Sequence, residues 1–163
     1  MDAPRRRAAF TLFAVAGGTY LLDRVSKLWA ERELAGNPIE AIRGVLTLRF
    51  TTNRGGAFSL FQDAPLFFAA VSIGVVVLIL ATAFRHTDAM TGAALGLILG
   101  GALGNLTDRL IRGPRLSGDV VDFVDLHVWP VFNLADAAIV VGAVVLAVGV
   151  WRRDRAAKAA DAG

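Results

Sequence analysis

The sequence predicts an all-α membrane protein, four transmembrane helices with a small extracytoplasmic β element, in a single membrane domain over residues 1–163. Three observations predict it. Apolar residues make up 55% of the chain and charged residues only 19%, whereas a soluble domain carries about 25% charged residues. Mean hydropathy is +0.57. Four stretches approach the roughly 20 apolar residues a helix needs to cross the hydrocarbon layer.

The composition also removes whole classes of chemistry. With no cysteine there is no disulfide, thiolate metal site or Cys nucleophile. Two distant histidines, His86 and His127, argue against a His-based metal centre, so neither metal nor cofactor is expected. The net charge of +3 carries no basic stripe with interleaved aromatics, so no nucleic-acid partner is expected either.

The first span, about 8–29, is free of charge to Leu22 and then meets Asp23, Arg24 and Lys27. Arg5-Arg6-Arg7 before it gives the look of a cleaved signal peptide. No small-x-small site follows directly, and the helical pattern continues to Trp29, so a retained helix is expected. In the outer segment of about 30–63, Leu46, Leu48 and Phe50 alternate with Thr47, Arg49 and Thr51. That period of two predicts a half-buried strand, paired with one near Ala57-Phe58-Ser59-Leu60 across the turn Asn53-Arg54-Gly55-Gly56.

Spans at about 64–84 and 89–110 follow. The third carries Gly92, Gly96, Gly100 and Gly104, four apart, a flat ridge that lets another backbone approach closely. Asp108 is the next step on that ridge and should face a partner helix; Asn105 and Arg109 share an adjacent face. Arg109 is expected to pair with Asp108 and fix the helix end. After an outer segment of about 111–130, the fourth span, about 131–151, contains Asp136, and the Ala-rich tail 156–163 is expected to fray. Basic residues set the orientation. Eight Lys/Arg fall in the 23 positions at the ends and between spans two and three, against six in the 53 positions of the outer segments. Both termini are therefore expected in the cytoplasm.

Under that topology Asp23, Asp108, Asp122, Asp125 and Asp136 all map to the outer boundary. Ionisable groups at membrane depth are costly and point to function. Each also has a structural explanation. Asp23 and Lys27 form an i, i+4 ion pair, Asp108 fits a salt bridge, and Asn133 could cap the fourth helix with Asp136 in its first turn. Asp119, Asp122 and Asp125 could be loop acids. Against this, Val120-Val121-Asp122-Phe123-Val124-Asp125-Leu126 presses acids among apolar groups, where the charged form is disfavoured. Two such carboxyls can share a proton, one accepting from water while the other donates to a carbonyl. With a Cys nucleophile excluded, the composition against metal and no Ser/His pairing at motif spacing, paired aspartates are the remaining hydrolytic machinery. A small proton-coupled membrane transporter is the alternative, and a structural scaffold the third reading. Transporters place their groups near the midplane, often within repeats, and neither feature is visible here.

Five motifs, in order, resemble bacterial lipoprotein signal peptidase (signal peptidase II). They are Asp23-x-x-x-Lys27, Asn53-x-Gly55-x-Ala57-Phe58, Gly100-Gly101-x-x-Gly104-Asn105-x-x-Asp108-Arg109, Val120-Val121-Asp122-Phe123 and Phe132-Asn133-x-Ala135-Asp136. The resemblance covers about residues 20–140. It implies an aspartic endopeptidase that removes signal peptides from prolipoproteins at the outer face of the bacterial cytoplasmic membrane, cutting before a diacylglyceryl-modified cysteine. The implied catalytic pair is Asp122 and Asp136, holding a water between them. Asp23, Lys27, Asn53, Gly55, Asn105, Asp108, Arg109, Asn133 and Ala135 are the implied substrate-binding or supporting residues, with Asn105 and Asn133 orienting the carboxylates. Asp125 falls outside the pair. Membrane lipid and globomycin-type inhibitors are implied partners, and a monomer is expected. The chain departs from the family in a longer Arg109–Asp122 connection and a shorter stretch from Asp122 to Asp136. Trp29 and Trp129 fit an interfacial belt, and Phe58, Phe61, Phe67 and Phe68 are candidates for a cradle over the site.

Overall fold

The computed structural model describes residues 2–54 and 65–161. Helix α1 (Ala3–Glu33) has proline in its first turn and ends at Leu34. Strand β1 (Ile39–Ile42) turns through Gly44, whose φ of +72° suits a residue without a Cβ, into β2 (Leu46–Asn53). Helices α2 (Pro65–Thr82) and α3 (Ala89–Arg112) follow. The N-cap of α3 is Asp88, whose carboxylate accepts from the Met90 and Thr91 amides at 3.2 and 3.0 Å. A short 3₁₀ turn (Pro114–Leu116) leads to β3 (Val120–Asp125), and α4 (Leu134–Asp161) ends the chain.

The strands form one antiparallel sheet in the order β1-β2-β3. The expected strand at 45–51 is present as β2, but its observed partners are β1 and β3; the expected partner at 57–60 lies outside the described residues. Thr47 pairs with Asp125 and Thr51 with Asp122, with a register shift between. A bulge of this kind re-aims side chains at a sheet edge.

Among the described residues three helices are long and apolar enough to cross a membrane: Pro65–Thr82, Ala89–Arg112 and Leu134–Ala160. At 31 residues α1 is the longest helix, about 46 Å at 1.5 Å per residue, but the charges along it keep it out of that set. The tail expected to fray is helical to Asp161. Alanine at 156, 157, 159 and 160 has the best helix propensity, and it carries the turn beyond the apolar span.

The glycine ridge explains how the helices meet. A Cβ on Gly92 would strike the Ala8 carbonyl; on Gly96 it would lie 2.6 Å from the Leu12 carbonyl oxygen, and on Gly100 2.5 Å from that of Ala16. Steps of four on α3 thus match steps of four on α1, backbone to backbone. On another face, Gly101 would meet the Ala135 carbonyl oxygen of α4 at 2.5 Å, and Gly142 of α4 would meet that of Ala94 at 2.6 Å. Helix α3 is therefore the centre, clasped by α1 and α4. Leu12 and Ala16 of α1 pack with Ile79 and Leu99 to bring in α2. The outward faces stay apolar, with Phe10, Leu22, Leu78 and Val140 each more than 60% exposed, as lipid-facing surfaces should be.

Candidate active site

At the top of α3 its neighbours bring acids together in two groups. Asp122 sits in β3, 2% exposed among buried Val120, Val121 and Phe123. Asp136 lies in the first turn of α4, whose start is a capping box. The Asp136 amide donates to Asn133 Oδ1 at 2.9 Å, and the Asn133 amide donates to Asp136 Oδ2 at 3.3 Å. The sequence left open whether Asp136 serves a cap or a site. One oxygen belongs to the cap, while the other, Oδ1, accepts from Asn105 Nδ2 at 2.8 Å.

Amides tie the two carboxyls together. Asn133 Nδ2 donates to Asp122 Oδ1 at 2.7 Å and to Asn105 Oδ1 at 3.2 Å. Asn53 Nδ2, at the end of β2, donates to Asp122 Oδ2 at 3.2 Å. Asp122 and Asp136 line one cavity of about 370 Å³ with Asn105, Arg109, Phe68 and Trp129. Burial, and then the neighbouring charge of Asp136, push the Asp122 carboxyl up to about 7, against the downward pull of its Asn133 and Asn53 bonds and of Lys27.

The second group is held by cations. Lys27, wholly buried, lies 2.9 Å from Asp23 Oδ2 and 3.0 Å from Asp108 Oδ2, and donates to Asn105 Oδ1 at 2.8 Å. Asp108 Oδ1 pairs with Arg24 and lies 3.5 Å from Arg112 Nε; Arg112 also pairs with Glu31. The acids here brace the backbone as well. Asp23 Oδ1 accepts from the Ala135 amide at 3.0 Å, and Asp108 Oδ2 accepts from the Val121 amide at 3.2 Å, next to Asp122. Gly104 makes room for this, since a Cβ there would collide with the Asp23 carboxylate. Asn105 joins the two groups.

Ten of the eleven residues singled out in the sequence meet at this end of the bundle; Gly55 lies outside the described residues. Asp108 faces α1 as the ridge requires, but Arg109 does not pair with it. Consecutive helical side chains point in different directions, and Arg109 turns into the cavity, its Nη1 donating to the Asn105 carbonyl at 3.4 Å. Arg24, Glu31 and Arg112 were not singled out, though Asp108 and Arg112 stand i, i+4 apart. Asp125 pairs instead with Arg49 at 2.6 Å, and this bond holds its carboxyl below the usual range. Phe58 and Phe61 lie outside the described residues, Phe67 is exposed and Phe68 reaches the cavity. Trp29 stacks edge-on against Phe123, 6.5 Å between ring centres.

Two carboxyls on one cavity, one carrying its proton near neutrality and both oriented by amides, can accept a proton from water while donating another. The comparisons agree with that chemistry. The model of the family described as Signal peptidase (SPase) II matches residues 15–152. The lipoprotein signal peptidase of Streptomyces coelicolor is 42% identical over 150 residues, 91% of this chain and 73% of the relative. That of Caldicellulosiruptor bescii is 40% identical over 128 residues, 78% of this chain and 82% of the relative. That of Mycobacterium avium is 40% identical over 149 residues, 90% and 81%. Two solved bacterial membrane enzymes share the fold. One has a TM-score of 0.77 at 24% identity, covering 87% of this chain and 88% of its own. The other has a TM-score of 0.73 at 25% identity, covering 86% and 92%. With a family match over most of its length and relatives at 40% identity or more, this membrane protein belongs to the signal peptidase II family of aspartic-type peptidases.

Proposed function

We propose that Asp122 and Asp136 are the catalytic carboxyls with which this chain removes signal peptides from lipoprotein precursors. The activity is that of its family. The substrate we assign is a prolipoprotein bearing a diacylglyceryl cysteine, cut just before that residue. The observation that carries the assignment is the set of amide hydrogen bonds around two carboxyls on one cavity. Asp122 supplies the proton, Asp136 activates the water held between them, and the pair titrates as a unit. Asn105 and Asn133 fix both carboxyls. Asp23, Lys27 and Asp108 brace the backbone beneath them, Asn53 holds Asp122 from β2, and Arg109 lends positive charge to the cavity. Ala135 offers its amide to Asp23, and Gly55 keeps its family assignment.

The reading extends to topology. The chain is one membrane domain of four spans, α1 included, with both termini in the cytoplasm and the site at the outer face of the bacterial cytoplasmic membrane. The length of α1 and the Arg5-Arg6-Arg7 run before it support this. The protein works as a monomer, the glycine ridge being used within the bundle, with acyl chains of the substrate in lipid and globomycin-type peptides as inhibitors. The transporter alternative is not favoured.

Substituting each acid by Asn in turn, in full-length protein reconstituted with a diacylglyceryl-modified precursor, tests the assignment. Asp122→Asn and Asp136→Asn should each lower turnover by at least about 10³-fold while insertion persists, and Asp125→Asn should keep turnover. An active Asp122→Asn beside a dead Asp125→Asn overturns the assignment.

A further inference from the structure

Helix α4 has two opposite faces. One packs on α3: a Cβ on Gly101 would meet the Ala135 carbonyl and Ile139, and one on Gly142 would meet the Ala94 carbonyl. Lower on this face Arg153 Nη1 donates to Thr91 Oγ1 at 3.4 Å and lies 4.0 Å from Asp88 Oδ2. These contacts fix the rotation of the helix along its length. Val144, Val148, Trp151, Arg155 and Lys158 recur at helical spacing on the other side. All five are exposed, Trp151 by 57%. One stripe thus passes from apolar, through an indole, to cationic.

The change falls at a definite depth. From Leu134 to Trp151 the helix rises about 26 Å at 1.5 Å per residue, close to the roughly 30 Å of a hydrocarbon layer. With the start of α4 at one boundary, Trp151 stands at the other, the level where amphipathic rings settle. The helix continues past it to Asp161. Arg155 lies over the indole, its guanidinium carbon 4.9 Å from the ring centre. Residues 152–158 hold four basic side chains against one acid, Asp154. Among the described residues no ion pair joins Arg155 or Lys158 to a carboxylate. Two cations without an anionic partner, at the end of an apolar stripe, match a molecule that is apolar at one end and anionic at the other.

We infer that this face of α4 binds an anionic glycerophospholipid, with an acyl chain along Val144 and Val148, Trp151 at the ester level and the phosphate at Arg155 and Lys158. Charge complementarity selects the occupant. A zwitterionic lipid offers the same chain with its phosphate already countered by a cation, and a soluble acidic partner leaves the valines unused. The site lies at the end of the bundle opposite Asp122 and Asp136 and does not depend on the peptidase reading. A headgroup held there fixes the depth of the helix whose first turn carries Asp136.

Tryptophan quenching tests the inference without any turnover. Full-length protein is reconstituted in phosphatidylcholine vesicles containing either phosphatidylglycerol or phosphatidylcholine brominated on its acyl chains. Brominated phosphatidylglycerol should bind about five- to thirtyfold more tightly than brominated phosphatidylcholine, the preference that one or two basic residues supply at a membrane surface. The excess quenching should vanish in Trp151→Phe, which leaves Trp29 and Trp129 as reporters. Arg155→Gln combined with Lys158→Gln should bring the preference below about twofold, and Arg155→Lys, which keeps the charge, should retain most of it. Arg6→Gln combined with Arg7→Gln removes as much charge from exposed positions on α1 at the same end and should leave the preference unchanged. Equal quenching by the two lipids overturns the inference, as does excess quenching that survives in Trp151→Phe. An equal loss in the Arg6 and Arg7 variant also overturns it, reducing the effect to overall surface charge. So does displacement of the lipid by inorganic phosphate at matched ionic strength, because a free anion makes no use of the apolar stripe.

Discussion

Two pairs of aspartates lie in the same end of this bundle, joined through Asn105, and they are built on opposite principles. Asp23 and Asp108 face Lys27, Arg24 and Arg112. Asp122 and Asp136 face Asn53, Asn105 and Asn133, with Arg109 in the cavity but bonded to a backbone carbonyl. A buried acid beside a cation stays ionised and serves as a brace, because removing its partner strands a charge in low dielectric. Buried Asp122 and half-buried Asp136, hydrogen-bonded by neutral amides, repel each other's charge, which favours retention of one proton. Counting acids at the membrane boundary does not separate brace from reactive pair; the groups that surround them do.

The comparison can be broken by removing one element from each pair. The largest effect on stability is expected on the braced side. Lys27→Met leaves Asp23 and Asp108 buried without their common cation and should destabilise the protein by about 3–5 kcal/mol, read as loss of the folded fraction on heating in detergent. Asp122→Asn, in the unbraced pair, should abolish turnover yet leave that fraction unchanged or higher at pH 8. The folded Asp122 carboxyl, at about 7, holds its proton more tightly than in the unfolded chain. Its contribution to stability is full below the unfolded value and is lost as pH rises through about 7. Equal destabilisation by the two substitutions would erase the distinction.

A pH profile sharpens it. On the proposed assignment, in which Asp122 donates its proton, kcat/KM should fall as pH rises past about 7. Thermal stability should decline over the same range by a smaller margin. In Asp125 the sign is opposite. Arg49 and the His127 amide hold that carboxyl below its ordinary value, so its contribution is present above the unfolded value and is lost as pH falls through the folded one. The smallest effect is steric. Gly104→Ala drives a methyl group into the Asp23 carboxylate, and about 1–3 kcal/mol of overpacking should follow, with turnover reduced through the shifted Ala135 amide rather than abolished.

Much of the frame was legible because one-dimensional spacing becomes a helical face directly. Glycines four apart announced a ridge, and the ridge aimed Asp108 at a partner before any partner was known. The meeting of Asp122 with Asp136 was different in kind. Thirteen residues, a loop among them, lie between them, and no periodicity states that they converge; the ordered family motifs did. Strand β3 was read as an apolar, acid-bearing segment and not as a strand, since Val120, Val121, Asp122 and Phe123 are all buried and a strand buried on both sides loses its alternation. Strand β1 was missed because every residue of its short run is exposed. Arg109 was paired with Asp108 by adjacency in sequence, whereas it donates to the Asn105 carbonyl; the 100° step between successive helical side chains explains the difference. Arg24, Arg112 and Glu31 were not singled out, although the i, i+4 spacing that unites Asp108 with Arg112 was already there.

The start of α4 carries a consequence for biogenesis. The Asn133 side chain closes the helix cap through one atom and grips Asp122 through another, so capping α4 and bringing Asp122 beside Asp136 depend on one side chain. On the catalytic assignment made here, a nascent chain lacking its final segment is inert however well its first three helices have settled, and the cell is spared a half-built protease loose in its membrane.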